Sequence, residues 1–475
     1  MSELPVVRIY ATTQRPDYDA PWQSCTPSSS TGSGVIIGHG KILTAAHVVA
    51  NATFLQVQKL LDPEKWVARV AAVCHDCDLA LLVVDAPAFM DDVTPAELGA
   101  LPSLRDKVSV VGYPVGGEEV SITEGVVSRV EVQRYVHSGR HLLAVTVDAA
   151  INMGNSGGPV YLDGKVAGIA FQSHTEAENI GDVVPASVVR RFLEGVAAGR
   201  PLEIPGLGIS VQNLENPELR AHIGMPAGRG GILVVGVGHG GSADGVLREG
   251  DAILEIDGAP VANNGTIHYL RRYRVRHDVE IGHRFLGDQL SLTILRDGAP
   301  RELVVELRPE PYLVARNQYD VAPTYFVFAG LVFQPLSRDF LATWDEWWYR
   351  APSEFLVQYH TGLRSPERHE IVVLAQVLAD EINVGYGSLY SEMIVAVNGH
   401  QPRDLADLVR RIEAATQAGG VIELRTSLRG RIVLDAARAQ GATARILDRY
   451  NIPADRSPAL QAATGSPRPA TRSQS

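Results

Sequence analysis

Long apolar runs are missing from this 475-residue sequence: the nearest, Tyr325–Phe333, falls far short of the roughly 20 residues that a bilayer-spanning helix requires. No membrane span is expected. Cysteine is scarce as well. Cys25, Cys74 and Cys77 cannot build a disulfide framework for so long a chain, and a reducing compartment suits them. Cys74 and Cys77 form a C-x-x-C with no second Cys/His pair at ligand spacing, so two readings stand: a zinc or redox pair, or two small buried apolar residues. Positive charge is also in deficit, 43 basic against 54 acidic residues for a formal charge of −11, which argues against a polyanion-binding protein and against nucleic acid as a partner. The basic stretch Arg271–Arg276 is short and interrupted and reads as a solvated helix or loop face. Met1–Tyr10 shows no basic segment followed by an apolar one, so no secretory signal is visible and the cytosol is the compartment expected. A mis-called or trimmed start would make that compartment periplasmic or organellar.

The sequence has 45% hydrophobic and 20% charged residues, enough apolar material for globular folding. Single cores stop growing at about 250 to 300 residues, so two or three domains are expected. Up to about residue 200 the pattern is short apolar runs broken by Gly, Pro and Asp: Gly34–Ile37, Val67–Val73, Leu79–Val84, Val108–Gly112, Leu142–Val147 and Val166–Phe171. Such spacing predicts an all-β barrel or sandwich. Pro185–Val196 has apolar residues at helical spacing and ends near Gly199, and Gly199–Gly206 reads as a linker. Farther along the chain there is a faint repeat, in which Gly250–Gly258 resembles Glu392–Gly399. Each copy is a strand-like run into an Asp-Gly or Asn-Gly turn with a possible helix beyond. Two related modules are therefore predicted, at 205–310 and 311–453. The Ser-, Pro-, Ala- and Arg-rich stretch 454–475 has little to bury and reads as a disordered tail.

Chemistry is concentrated in Gly154–Asn155–Ser156–Gly157–Gly158–Pro159. A serine hydroxyl is a poor nucleophile until a base takes its proton, and its attack on a carbonyl creates an oxyanion that needs preorganised donors. Glycines let the backbone turn sharply enough for the N–H groups of Gly154 and Ser156 to converge, with Asn155 setting the loop. The base is found in Thr44–Ala45–Ala46–His47–Val48–Val49, where His47 follows an apolar strand. A carboxylate must hold the imidazole in its productive tautomer. Asp78 directly precedes the apolar run Leu79–Leu82 and is preferred over its rival Asp76, two residues earlier.

Taken in order, Thr31–Ile37, Thr44–Val49, Asp78–Leu82 and Asp148–Pro159 resemble the HtrA/Deg serine proteases of the chymotrypsin clan. Beyond them, Gly206–Leu207–Gly208–Ile209 resembles the carboxylate-binding loop of that family's first PDZ domain. The stretch from Tyr319 to Pro453 resembles the second PDZ domain of its plant-type branch.

The resemblance implies a mainly β protein: a chymotrypsin-like double β-barrel protease domain at 1–200, followed by two α+β PDZ-like domains. It implies the triad His47, Asp78 and Ser156, an oxyanion hole of Gly154, Asn155 and Ser156, and a primary pocket lined by Ile151, Gly168, Ile169 and Phe171. No acidic residue lies in the strand Gly168–Gln172, so small or medium aliphatic side chains should fit that pocket. Unfolded or damaged proteins, which expose such side chains, are the expected substrates. C-terminal peptides should dock on Gly206–Ile209 by β-addition. No cofactor or metal is expected, and a trimer-based homo-oligomer is. Ser391–Glu392 stands where the first copy has Gly250–Asp251, and this departure favours an assembly role for the second module. Trp344, Trp347 and Trp348 read equally as interface or core. The alternative function is a chaperone-like scaffold in which proteolysis is secondary.

Overall fold

A computed structural model describes residues 4–38, 40–60, 62–91, 93–114, 119–149, 151–152, 154–173 and 180–465. The chain divides into two compact units, residues 1–14 with 27–310, and residues 15–26 with 311–475.

The first unit begins with two closed six-stranded barrels. One barrel comprises β1 (Val6–Thr13), β2 (Ser28–Gly38), β3 (Lys41–Thr44), the one-turn helix α1 (Ala46–Val49), β4 (Ala52–Lys59), β5 (Lys65–Cys74) and β6 (Leu79–Val83). The other comprises β7 (Lys107–Gly112), β8 (Ser121–Arg134), β9 (His141–Val147), β10 (Pro159–Leu162), β11 (Lys165–Ser173) and β12 (Gly181–Pro185), and α2 (Ala186–Ala198) comes after it. Strand alternation accounts for the closure. In β1 the side chains of Val7, Ile9 and Ala11 are buried while Arg8, Tyr10 and Thr12 face outward. The predicted strands and the predicted helix all fall on these elements.

A five-strand path of order β13-β14-β15-β19-β20 completes the unit. Its elements are β13 (Ile209–Asn213), α3 (Pro217–His222), β14 (Ile232–Val237), β15 (Ala252–Ile256), β16 (Ala259–Pro260), β17 (Thr266–Tyr269), β18 (Tyr273–Arg276), α4 (Asp278–Gly282), β19 (Gln289–Arg296) and β20 (Ala299–Glu306). One continuous apolar core runs from the second barrel through α2 into this sheet. The helix or loop face expected around Arg271–Arg276 is instead a hairpin, β17 against β18. Its residues alternate with period two: Ile267, Tyr273 and Val275 are buried, while His268, Arg274 and Arg276 are exposed. Tyr273 Oη donates to Pro102 O, which ties the hairpin to the segment before β7.

The second unit is a sheet of order β21-β22-β23-β24-β25-β26. Its elements are β21 (Phe326–Phe328), β22 (Leu331–Pro335), α5 (Arg338–Leu341), α6 (Trp347–Arg350), α7 (Ser353–Thr361), β23 (Val372–Val377), β24 (Glu392–Val397), α8 (Leu405–Ala418), β25 (Val421–Thr426), β26 (Arg431–Asp435), α9 (Ala436–Arg449) and α10 (Pro458–Thr464). Residues 15–26, which link β1 to β2 in the chain, pack within this unit: Trp22 meets Tyr325 edge-on, and Gln334 Nε2 donates to Tyr18 O. Trp344 and Trp347 pack with the apolar cluster around Phe340 and Phe355, whereas Trp348 is exposed.

The expected tail does not begin at 454. Leu460 of α10 is buried in the core, and Arg456 is buried and ion-paired with Asp455 and Glu413, so a few anchoring side chains hold a stretch whose composition is poor in apolar residues. Residues 466–475 lie outside the described residues.

Candidate active site

His47 is delivered by β3. The strand ends at Thr44, Ala45 stays extended, and α1 swings the imidazole out with its side chain still 31% exposed. Asp78 closes the turn between β5 and β6 in a left-handed conformation (φ 53°) and is buried. Its two carboxylate oxygens are both used on His47: the backbone N–H donates to Oδ1 at 2.8 Å, and Nδ1 lies 2.7 Å from Oδ2. An ionised carboxylate only accepts, so Nδ1 carries the proton and Nε2 is left with its lone pair. Burial pushes the Asp78 carboxyl up, but the charges of His47 and His137 and the hydrogen bonds from His47 outweigh it and hold the group below its ordinary value. Burial likewise pushes His47 down, and Asp78 more than reverses this, so the imidazole sits above its ordinary value. The rival carboxylate is occupied elsewhere: Asp76 Oδ2 accepts the Ile204 N–H at 2.7 Å.

Ser156 rides on a loop that its neighbours hold rigidly. Gly157 N–H donates to Ala170 O at 2.7 Å, Ala170 N–H to Gly158 O at 2.9 Å, and Asn155 N–H to Asn152 O at 2.9 Å. Among the described residues the N–H groups of Gly154 and Ser156 have no such acceptor. Nor, among the same residues, does the Ser156 hydroxyl make a hydrogen bond, so the structure joins His47 to Asp78 but not Ser156 to His47. Catalytic hydrogen bonds are commonly loose before substrate binds. Asn155 is buried beside Gly112 and its N–H is engaged by Asn152 O, so it is placed to shape the loop.

Two residues escaped notice in the sequence. Ser33 Oγ donates to Gly154 O at 2.7 Å, its N–H donates to Ser156 O at 2.9 Å, and Thr44 Oγ1 donates to Ser33 O at 2.7 Å. Fully buried hydroxyls at Ser33 and Thr44 thus tie the first barrel to the serine loop of the second. For Thr44, a hydroxyl residue closing the apolar run Ile42–Leu43 is a signal that could have pointed to it; Ser33, in a strand that opens with four other hydroxyl residues, offers none.

Of the expected pocket residues, Ile151 lies over Gly181, where any side chain on that glycine would collide with it. Ile169 and Phe171 lie on β11, where the register with β12 shifts between Ala170 and Gln172, and the Phe171 ring lies tilted against Tyr135 with centroids 4.4 Å apart. Gly168 is paired with Val160 and Pro185. At the start of the next module the carbonyls of Gly206, Leu207 and Gly208 accept from Ser242 Oγ, Ala243 N–H and Gly238 N–H. The N–H groups of Leu207 and Gly208 have no acceptor among the described residues. Ile209 opens β13, whose outer edge is unpaired there among the described residues. In the second module β22 occupies the place of β13, and its outer edge is covered by β21.

Cys74 and Cys77 are buried free thiols. Cys74 Sγ donates to Leu202 O, and burial pushes the Cys77 thiol far up. Among the described residues no group of three or more His, Cys, Asp or Glu is placed to hold a metal ion.

Barrels, serine loop and His–Asp pair together define a trypsin-like serine protease, and two further modules follow it. In agreement, residues 32–169 match the trypsin-like peptidase domain family, and residues 205–307 and 314–459 each match a PDZ domain family. Protease Do-like 4, mitochondrial, of Arabidopsis thaliana is 38% identical over 451 residues, covering 94% of this chain and 84% of that protein. Protease Do-like 2, chloroplastic, of the same plant is 38% identical over 456 residues, covering 95% and 74%. Among solved structures, the HtrA-type protease AlgW with a decapeptide superposes with a TM-score of 0.51 at 26% identity, covering 65% of this chain and 98% of that one. The chain belongs to the Do-like, or HtrA/Deg, family and is a serine endopeptidase.

Proposed function

We propose that Ser156 is the nucleophile, His47 the general base and then acid, and Asp78 the group that orients His47. The observation that carries this reading is the two-point contact of Asp78 with His47, which leaves Nε2 free to accept a proton. Ser156 Oγ attacks the scissile carbonyl carbon as its proton passes to His47 Nε2. The resulting oxyanion is met by the Gly154 and Ser156 N–H groups. Collapse expels the amine, which takes the proton from His47, and water then hydrolyses the acyl-enzyme by the same steps in reverse order. Ile151, Gly168, Ile169 and Phe171 form the wall against which a small or medium aliphatic side chain docks. The apolar character of these residues supports that choice.

Unfolded or damaged proteins are the substrates, in keeping with a quality-control role. The first PDZ module captures C-terminal peptides on Gly206–Ile209 and the open edge of β13; the N–H groups of Leu207 and Gly208, uncommitted among the described residues, support this, and AlgW, a similar protease, is seen with a decapeptide. In the second module β21 already covers the corresponding edge, which supports assembly of a trimer-based homo-oligomer as its task. The names of the plant relatives favour an organellar compartment over the cytosol. Peptide mapping after treatment with a biotinylated fluorophosphonate tests the site: the adduct should lie on Ser156 and form at an unchanged rate with chelator present. An adduct on another serine would overturn the assignment.

A further inference from the structure

The turn between β8 and β9 carries a polar residue that this chemistry leaves unused. His137 is buried, its ring centroid lies 6.1 Å from that of His47 and 5.2 Å from that of His75, and its Nε2 shares a 2.9 Å hydrogen bond with His75 Nδ1. The turn has little freedom. Gly139 N–H donates to Tyr135 O at 2.7 Å, Tyr135 N–H donates to Arg140 O at 2.8 Å, and the fully buried Tyr135 hydroxyl donates to Leu143 O at 2.6 Å. Next to His137, Ser138 Oγ donates to Asp76 O at 2.8 Å, while His75 O accepts the Asp78 N–H at 3.3 Å. A turn of the second barrel is thus fastened to the turn of the first that presents Asp78, and the two imidazoles lie in that junction. Packing alone does not call for them, because burying His137 beside a half-buried His75 costs desolvation that an apolar pair would avoid.

We propose that His137, held by His75, is a positioning residue that steadies the Asp78–His47 couple and sets the pH range in which it works. This rests on the triad assignment above. The β5–β6 turn carries four ionisable side chains: His75, which bonds His137, Asp78, which interacts with its charge, and Asp76 and Cys77, of which Asp76 accepts from Ile204 N–H and Cys77 donates to Cys74 O. His47 faces it from α1, and Tyr135 and Arg140 flank it on its own turn, Arg140 being 3.9 Å from Glu310. A proton on His137 adds positive charge beside Asp78. That charge favours the ionised carboxylate and opposes an imidazolium at His47. Without it the imidazolium is more stable, so the acidic limb of activity moves to higher pH.

The test compares wild type, His137→Gln and His137→Phe in kcat and KM on unfolded casein and in the pH profile of fluorophosphonate labelling. Phe keeps a ring but no polar atom, and kcat should fall about tenfold with KM within about twofold, since small misplacements of a catalytic group cost this much or more. Gln can still bond His75 and should recover most of kcat, yet it holds no proton, so the acidic limb should stay shifted upward in both variants. Wild-type kcat and an unshifted limb in the Phe variant would overturn the proposal, as would equal losses in both variants with an unshifted limb. If the Phe variant does not fold, the limb of the Gln variant decides. Failure of wild type to label at Ser156 would instead strike the triad assignment itself.

Discussion

Asp78 holds a backbone conformation that non-glycine residues seldom adopt, and the strain is offset by the two hydrogen bonds it accepts from His47. Asp78→Asn keeps the shape but presents an amide that no longer fixes a proton on Nδ1. Its kcat should fall by about 10⁴-fold, with casein turnover as the measurement. His47 acts as a base only when neutral, and its pKa lies above the ordinary value because Asp78 favours the imidazolium. The acidic limb of kcat/KM should therefore lie above about pH 6.5, falling as pH drops and His47 gains its proton. In Asp78→Asn that limb should move down, because the charge that raised it is gone. His47, Asp78 and Ser156 could be read from the sequence because the chemistry demands those residue types in strongly patterned surroundings. Ser33, Thr44 and His137 could not, since their roles come from side chains that meet across 121, 11 and 62 residues of chain.

At the scale of elements, the serine loop depends on a position where only glycine fits. Gly157 has φ 83°, and a Cβ there would stand 2.2 Å from Thr44 Oγ1 and 2.3 Å from Ser33 O. Gly157→Ala should displace the loop and abolish fluorophosphonate labelling while leaving far-ultraviolet circular dichroism unchanged. The repeat between modules was legible in part. Ser391 takes the left-handed conformation of Gly250 (φ 59° against 93°), and both donate their N–H to the preceding strand, to Leu374 O and Val234 O. The turn thus keeps its shape although its residue differs, a match that letters alone do not show. The helix expected beyond each copy is present, long in the second (α8) and short in the first (α4), but the β17–β18 hairpin that precedes α4 was not legible. The outcome there depends on docking against Pro102, a partner distant in sequence. Within the second module Asp380 receives Arg445 and Arg449 and is held down to about 2, first by its hydrogen bond with Arg445. A carboxylate so lowered stabilises the fold above its unfolded value near 3.9 and loses that contribution as pH falls toward 2. Asp380→Asn should therefore lower the urea midpoint of this module at pH 7, and the difference from wild type should vanish near pH 2.

The whole molecule is two units of different construction. In the first, a single apolar core joins the second barrel to the first PDZ module, so these parts should unfold together, separately from the unit formed by 15–26 and 311–475. Pulsed hydrogen exchange through thermal unfolding would check this, and loss of protection in β14 and β15 well before β8 and β9 would count against it. Trp348 and Tyr349 are exposed on α6, at 63% and 81%. If the second module serves assembly through this surface, replacing both by alanine should lower the mass seen by light scattering and leave peptide binding to Gly206–Ile209 unchanged in calorimetry.

The most direct test of the central claim is the kcat/KM of Ser156→Ala on unfolded casein beside wild type. Loss of the nucleophile should lower it by about 10⁴-fold or more, with the melting temperature unchanged. Activity within tenfold of wild type in that variant would contradict the account.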